Sequence, residues 1–154
     1  NDPAKFNHFM QINAAKMEGF DATTLFAAAH VVHPFLRSRM AQLFAKHPKA
    51  FRQNISYRFR DLRQFLPQSL HNHACISDHQ AILRTEQDHI HIYSGQGNDD
   101  PTQQTRSILK KVTNTKDIKF LCINDLPQLE LLIPDIRSWL TDAIGGFNSN
   151  NRVP

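Results

Sequence analysis

Short helical patterns and short alternating patterns follow one another along the chain, and this succession limits the folds that it can adopt. Apolar residues three and four apart predict helices, whereas strict alternation of apolar and polar residues predicts strands. The predicted helices cover about residues 3–18, 34–46, 62–74, 103–112 and 133–144. The predicted strands cover residues 55–60, 89–94 and 118–123, and the last is apolar enough to be buried. We therefore expect an α/β or α+β fold, with helices and a few short strands.

Prolines mark several boundaries of these elements. Pro34 suits the first turn of the second helix, because its missing N–H needs no partner there. His47 and Pro48 are expected to end that helix. Pro67 lies inside the third helical pattern, where it predicts either a kink or a later start. A polar turn at residues 98–101 separates the second strand from the fourth helix.

The length and composition are those of an ordinary globular domain. The chain has 154 residues, of which 40% are hydrophobic and 21% are charged, and these values argue against disorder and against a coiled coil. We predict a single domain over residues 1–147 and a frayed tail over residues 148–154. No apolar run is long enough to predict a transmembrane segment. The two cysteines, far apart in sequence, favour a reducing compartment, which we take to be the cytoplasm.

Positive charge is concentrated in the middle of the chain, which has a net charge of +4. Between positions 37 and 63, Asp61 is the only acid, whereas half of all acidic residues lie at position 99 or later. A local excess of this kind predicts an anionic partner for the middle segment. The basic residues there are Arg37, Arg39, Lys46, Lys49, Arg52, Arg58, Arg60 and Arg63.

His30 and His33 lie directly before the predicted helix start at Pro34. A helix N-terminus favours anions, through its unbonded N–H groups and its dipole. A histidine at such a position is suited to act as an acid or a base beside a phosphate ester. The alternative is a structural histidine whose ring nitrogens bond to the backbone.

The predicted strand at residues 55–60 places Arg58 and Arg60 on one face, because alternate side chains of a strand point the same way. Two neighbouring guanidinium groups are suited to bind phosphate oxygens. The alternative is an exposed face on which the arginines pair with Asp61 or its neighbours.

Asn124 and Asp125 follow the predicted buried strand. The carboxyl ends of strands are where ligands bind in α/β sheets. A carboxylate there can hold a divalent metal ion, or it can cap the next helix, which is the commoner reason for such a pair.

Four further histidines form two pairs, His71 with His73 and His89 with His91. Residues two apart face the same way on a strand but not on a helix, so the second pair is the better geometric candidate for a metal. Neither pair has the spacing of a known zinc site. We therefore expect all four to be structural or exposed.

Four blocks of the sequence together resemble a known family when their order along the chain is considered. They are Ala29–Arg37, Phe44–Phe51, Tyr57–Asp61 and Lys119–Asp125. The third reads Tyr-Arg-Phe-Arg-Asp and the fourth reads Lys-Phe-Leu-Cys-Ile-Asn-Asp. Together the blocks resemble the third and fourth conserved regions of the Stealth proteins. These regions correspond here to about residues 26–75 and 117–126.

Stealth proteins transfer hexose-1-phosphate from a nucleotide sugar, such as UDP-N-acetylglucosamine, to a sugar hydroxyl with the help of a divalent cation. The family includes bacterial capsule polymerases and the catalytic subunit of the lysosomal N-acetylglucosamine-1-phosphotransferase. The resemblance therefore implies a Rossmann-like phosphotransferase that requires Mg²⁺ or Mn²⁺. Its partners would be a nucleotide-sugar donor and a glycan acceptor, in capsule or exopolysaccharide synthesis.

The resemblance also implies roles for the candidate residues. His30 would take the proton of the acceptor hydroxyl or bind a phosphoryl oxygen, and His33 would orient His30. Arg60, with Arg58 beside it, would bind the donor pyrophosphate.

At the end of the last predicted strand, Asn124 would contact the substrate and Asp125 would help to hold the metal ion. The sequence departs from the family where Val32 replaces a proline and where Lys49 and Ala50 replace a pair of acids.

The first and second conserved regions of the family have no counterpart in the chain, which begins without methionine at Asn1. We therefore expect it to be the C-terminal part of a Stealth-type catalytic domain, with the missing N-terminal part as its partner. We place it in the cytoplasm, and leave open an association with the inner membrane face.

Two alternatives from other classes stay open. The basic residues with their interleaved aromatic side chains fit a nucleic-acid-binding module. No recognised nucleic-acid motif accompanies them, so no nucleic acid is among the expected partners. The second alternative is a non-catalytic partner subunit.

Overall fold

The computed structural model describes residues 3–86, 88–94, 101–114 and 117–144. In chain order the elements are α1 (Pro3–Met17), α2 (Arg37–Lys46), α3 (Pro48–Ser56), α4 (Pro67–Ser77), β1 (His89–Ile92), α5 (Pro101–Asn114), β2 (Phe120–Ile123), α6 (Leu126–Leu132) and α7 (Ile136–Ile144). They belong to two compact units, Asn1–Arg84 and Thr85–Pro154. No linker is recognisable in the sequence at this boundary. The single domain over residues 1–147 stays a prediction. The tail and most of the polar turn lie outside the described residues.

The first unit is helical, and its core lies where α1, α2 and α4 meet. α4 contributes two fully buried residues one turn apart, Leu70 and Ala74, which pack together because residues four apart share a helix face. The buried members of this core are Ala14, Leu43, Phe65, Leu70 and Ala74. Burial of these apolar side chains is the main force that holds the unit together.

The prediction of a strand over residues 55–60 is wrong, because residues 55–56 are helical and residues 57–60 are irregular. Ile55 lies in the last turn of α3 and is 81% exposed, so it does not belong to an apolar strand face. The helix begins at Pro48, a position where the missing N–H of proline costs nothing. Phe51 packs on the core and Asn54 is half-buried near it, so the helical period prevails over the alternating pattern.

The prolines predicted near two other helix starts behave differently. Pro67 occupies the first turn of α4, which confirms the later start. Pro34 lies outside α2, which begins at Arg37, so the predicted start at Pro34 is wrong. Leu36, just before the helix, is extended at φ −75° and ψ 111°, and its N–H bonds to a side chain of α4.

The second unit contains a βαβ arrangement. β1 and β2 pair in parallel, with His89 opposite Phe120 and Ile92 opposite Ile123. α5 connects the two strands, since a parallel pair needs a crossover of this kind. β2 begins at Phe120 and is therefore shorter than the predicted strand over residues 118–123. It is also less buried than predicted, since Phe120 is exposed and the rest of the strand is half-buried. The buried members of this core are Ile92, Leu109, Leu129, Ile133 and Ile136.

The helix predicted over residues 133–144 begins too early. α6 ends at Leu132 and α7 begins at Ile136, and Pro134 lies between them. A proline disfavours the helical conformation of the residue before it, which explains the break. Both Ile133 and Ile136 are nevertheless buried, so the apolar pattern identified core residues correctly.

The observed mixture of helices with a small parallel sheet is compatible with the predicted α/β or α+β class at a coarse level. Among the described residues, no helix is both long enough and apolar enough to cross a bilayer.

Candidate functional site

Two irregular segments of the first unit carry four of the candidate residues. We call residues 20–36, which contain the two candidate histidines, the histidine segment. We call residues 57–66, which contain the two candidate arginines, the arginine loop. Neither has regular secondary structure, so side-chain hydrogen bonds decide where it lies.

Both segments are bonded to helix α1. The side-chain oxygen of Gln11 accepts a hydrogen bond of 2.9 Å from the backbone N–H of Ala28. Two residues further along α1, the Nδ2 of Asn13 donates to the carbonyl oxygens of Leu62 at 2.7 Å and Gln64 at 2.8 Å. One helix thus holds the histidine segment and the arginine loop within the same unit.

Two buried imidazoles of α4 fix the histidine segment further. The Nε2 of His73 accepts a hydrogen bond of 3.0 Å from the N–H of Phe26. The Nε2 of His71 accepts one of 3.1 Å from the N–H of Leu36. The other nitrogen of His73, Nδ1, lies 2.7 Å from the carbonyl oxygen of Ser69. Both histidines therefore have the structural role expected from the sequence.

The two candidate histidines differ in their surroundings. His33 is half-buried, and its Nε2 lies 2.6 Å from the carbonyl oxygen of Ala29. This is the backbone-bonded arrangement that the sequence left as the alternative. His30 is exposed to solvent. Of the two rings, His30 is the better placed to meet a substrate from solution.

The arginine loop is held in place by side-chain amides. Asn54 accepts a hydrogen bond from the N–H of Phe65 at 2.8 Å and donates to the carbonyl oxygen of Phe65 at 3.1 Å. Gln64 donates to the carbonyl oxygen of Asn54 at 2.8 Å and accepts from the N–H of Asp61 at 2.9 Å. Each amide uses both its donor and its acceptor, so the loop has a defined shape without a strand or helix.

Arg58 and Arg60 are exposed on this loop. The guanidinium of Arg58 lies 5.4 Å from the ring centroid of Phe59. The Nη1 of Arg60 lies 3.5 Å from the side-chain oxygen of Asn7 on α1. Because the predicted strand is absent, the expectation that the two arginines share a strand face is wrong. They share a fixed loop instead.

The only acid of the basic segment is already neutralised. Asp61 binds the Arg63 side chain through hydrogen bonds of 2.8 Å and 2.9 Å. These bonds, together with the one from the Arg63 N–H, lower the pKa of Asp61 to about 2. The same pair raises the pKa of Arg63 above its ordinary value. Asp61 therefore neutralises Arg63, and no carboxylate in the described part of the chain pairs with Arg58 or Arg60.

Two further acids of the first unit neutralise basic residues at other places. The carboxylate of Glu18 is bound by Lys46 at 2.9 Å and by His47 at 3.0 Å, and Asp78 pairs with Arg39. A local excess of unpaired cations attracts anions. Within the 37–63 segment, the basic side chains to which the described structure gives no carboxylate partner are Arg37, Lys49, Arg52, Arg58 and Arg60.

The remaining candidates lie in the second unit, at the carboxyl ends of the paired strands. The N–H of Asn124 bonds to the carbonyl oxygen of Ile92 at 2.9 Å, which extends the pairing beyond β2. Asp125 has left-handed backbone angles, φ 55° and ψ 40°, a region that Asp tolerates better than most residues. It precedes α6 but makes no side-chain capping bond, and the Ser94 hydroxyl lies 3.5 Å from its carboxylate. Capping therefore does not occupy this carboxylate.

The described residues only partly fit the divalent cation that the resemblance implies. The Asp125 carboxylate and the Ser94 hydroxyl are oxygen donors of the kind that Mg²⁺ and Mn²⁺ prefer. However, nowhere in the described part of the chain do three His, Cys, Asp or Glu side chains come together as metal ligands. The described residues therefore do not form a complete metal site.

Sequence reasoning missed the residues that position both segments. Gln11, Asn13 and Asn54 are polar side chains within helices, and each bonds to the backbone of an irregular segment. The available signal was an amide on the otherwise apolar face of α1, where Asn13 precedes the buried Ala14. Buried polar groups need partners, so such a residue indicates a backbone segment that packs there.

No family model, curated protein or solved structure matches the chain.

Proposed function

We propose that the chain is the C-terminal part of a Stealth-type transferase that moves hexose-1-phosphate from a nucleotide sugar to a sugar hydroxyl. The observation that carries the proposal is the support of both candidate segments by α1, through Gln11 and Asn13. The segments contain an exposed His30 and an exposed Arg60. A phosphoryl transfer needs these two kinds of group, a proton acceptor and a cation for the phosphate.

In the proposed reaction the acceptor hydroxyl attacks the phosphorus that bears the sugar. A new phosphorus–oxygen bond forms, the pyrophosphate bond breaks, and nucleoside monophosphate leaves. Arg60 and Arg58 bind the donor pyrophosphate and stabilise the charge that develops on its oxygens. The absence of a carboxylate partner for either guanidinium among the described residues supports this role.

His30 accepts the proton of the attacking hydroxyl in this scheme. His33 orients the backbone around it, which agrees with its bond to the carbonyl oxygen of Ala29. In the second unit, as the resemblance implies, Asn124 would contact the substrate and Asp125 would offer one oxygen ligand to a Mg²⁺ or Mn²⁺ ion. When it is bound, that ion neutralises phosphate charge.

The test measures nucleoside monophosphate release from UDP-N-acetylglucosamine, with Mn²⁺ and a glycan acceptor, by the full-length protein. Arg60→Ala and His30→Ala are each expected to lower kcat/KM by about 100-fold or more, as losses of this kind usually do. Lys16→Ala and His8→Ala are the matched controls, because both side chains are exposed on α1 and belong to neither segment. The proposal fails if Arg60→Ala and His30→Ala fold normally and retain wild-type turnover.

A nucleic-acid-binding module is the second candidate, and the exposed Phe59 beside Arg58 and Arg60 favours it. An aromatic ring among guanidinium groups is the arrangement on which single-stranded bases stack. Binding of random oligonucleotides should then weaken steeply as salt increases, and Phe59→Ala should weaken it further. The transferase proposal expects no such binding in about 0.15 M salt.

A further inference from the structure

The histidine segment depends on two ring nitrogens that must carry no proton. The N–H groups of Phe26 and Leu36 can only donate, so the Nε2 atoms that they reach must accept. In His73 the proton lies instead on Nδ1, which donates to the carbonyl oxygen of Ser69. His71 needs the same tautomer. Each ring is thus a neutral acceptor with a defined proton position.

Both rings are buried and enclosed by aromatic side chains. His73 has no exposed surface, and His71 is 5% exposed. The ring of Phe20 lies 4.9 Å from that of His73, and the ring of Phe35 lies 5.1 Å from that of His71. Water therefore has little access to either bond, and a lost bond cannot be replaced by a water molecule without movement of the segment.

No described group would compensate a positive charge on either ring. Arg39, on the neighbouring α2, pairs with Asp78, and the buried Cys75 lies 3.8 Å from the Nε2 of His71. The pKa of the Cys75 thiol is raised by burial, which keeps it neutral. The other titratable groups described on α1 and along the histidine segment, together with the acid that follows α1, are His8, Lys16, Glu18, Asp21, His30 and His33. None of them forms a described ion pair with His71 or His73.

We propose that His71 and His73 form a histidine latch, a pair of positioning residues that hold the histidine segment only while both rings are neutral. Protonation of either Nε2 places an N–H group against a backbone N–H group. The hydrogen bond is then lost and the two donors repel each other, so acid opens the latch. Two other bonds of the segment do not involve His71 or His73. The Ala28 N–H donates to Gln11, and His33 bonds to the carbonyl oxygen of Ala29.

The latch makes the position of His30 depend on the neutral state of both rings. Phe26 and Leu36 lie on either side of His30, so one attachment on each side of it depends on this pair of rings. A role in catalysis rests on the proposed function. The latch itself does not, because it is defined by contacts within the first unit.

Amide hydrogen exchange, measured by NMR on the full chain at about pH 7.5 and about pH 5, tests the latch without any substrate. Protection factors remove the intrinsic effect of pH on exchange. The amides of Phe26 and Leu36 are expected to lose protection by about tenfold at the lower pH, the effect of one lost hydrogen bond. Ala28 is the internal control, because its acceptor on Gln11 does not titrate. Unchanged protection at Phe26 and Leu36, or an equal loss at Ala28, would overturn the proposal.

His73→Gln and His71→Gln are the matched variants, because a glutamine oxygen can replace Nε2 as an acceptor but cannot be protonated there. Each variant should keep the protection of its own amide, Phe26 or Leu36, at about pH 5. If a variant does not fold, the ¹⁵N chemical shifts of the His71 and His73 rings in the wild type show which ring nitrogen carries the proton. The latch requires the proton on Nδ1 at about pH 7.5, and a proton on Nε2 would overturn it.

Enzyme assays then separate the latch from the proposed function. If the transferase proposal holds, kcat of the wild type should fall on the acid side more than that of His71→Gln. If transferase activity is absent while exchange at Phe26 and Leu36 responds to pH, the latch stands and the proposed function fails. If activity is present and the kcat profiles of wild type and variant coincide, the positioning role fails.

Discussion

The Nδ2 of Asn13 lies 2.7 Å from the carbonyl oxygen of Leu62, although 49 positions separate the two residues in the chain. The same nitrogen donates to the carbonyl oxygen of Gln64, so a single amide on α1 binds two backbone carbonyls of the arginine loop. The loop has no hydrogen-bond ladder of its own. The loop is therefore held to α1 by this side chain and by one backbone bond, from the N–H of Leu66 to the carbonyl oxygen of Met10 at 3.2 Å.

Asn13→Ala should loosen the arginine loop and destabilise the first unit. Loss of two hydrogen bonds is expected to lower the free energy of unfolding by about 1–3 kcal/mol. Urea denaturation measures this change. Asn72→Ala is the control, because Asn72 makes no side-chain hydrogen bond within the described residues and should cost less than about 0.5 kcal/mol. Equal stability of the two variants would contradict the importance of Asn13.

Leu70→Ala should be among the most damaging substitutions in the first unit. Leu70 is fully buried in the core that α1, α2 and α4 share. Truncation of such a side chain leaves a cavity and is expected to cost about 2–5 kcal/mol. Ile55→Ala removes a similar side chain that is 81% exposed, and its cost should stay within about 0.5 kcal/mol. Thermal unfolding of the two variants gives the comparison, and similar melting temperatures would refute it.

Apolar periodicity predicted most helices of this chain but failed where two patterns overlap. Residues 55–60 alternate like a strand, yet the helix that begins at Pro48 extends to Ser56 and so includes the first two of them. Local alternation of a few residues carries little free energy compared with the burial of Phe51 against the core. The alternating pattern therefore predicted neither the element nor its buried face correctly, since Ile55 and Phe59 are exposed.

The backbone partners of the long-range side-chain bonds could not be identified from the local sequence. His71 and His73 were expected to be structural, and they are, but their partners Phe26 and Leu36 are 47 and 35 positions away. Such partners become known only when the helices pack. The same holds for His30, whose exposure depends on the position of the whole segment.

Cys75 should react with thiol reagents more slowly than Cys122. Cys75 is 6% exposed, and burial raises the pKa of its thiol, so little of the reactive thiolate is present at neutral pH. Cys122 is half-buried on β2. Alkylation by iodoacetamide at about pH 7.5, followed by peptide mass spectrometry, should show at least about tenfold slower labelling of Cys75. Equal rates in the native chain would contradict the burial of Cys75, and equal rates in urea are the expected control result.

Acid should weaken the first unit partly through the pair of Asp61 with Arg63. Hydrogen bonds from the Arg63 side chain lower the pKa of Asp61 from 3.8 to about 2 in the folded protein. The folded state therefore binds this proton less readily than the unfolded state. The stability that the pair contributes is fully present above about pH 4 and is lost as the pH falls through about 2.

Asp61→Asn should make the free energy of unfolding less dependent on pH in the acid range. Urea denaturation between about pH 5 and about pH 2 should show a steeper loss of stability in the wild type than in the variant. Because Asp61 and Arg63 lie at the surface, about 1 M salt should reduce the difference. Asp142→Asn, at an exposed position on α7 in the second unit, is the control and should keep the wild-type slope. Parallel profiles of wild type and Asp61→Asn would show that the pair does not stabilise the fold.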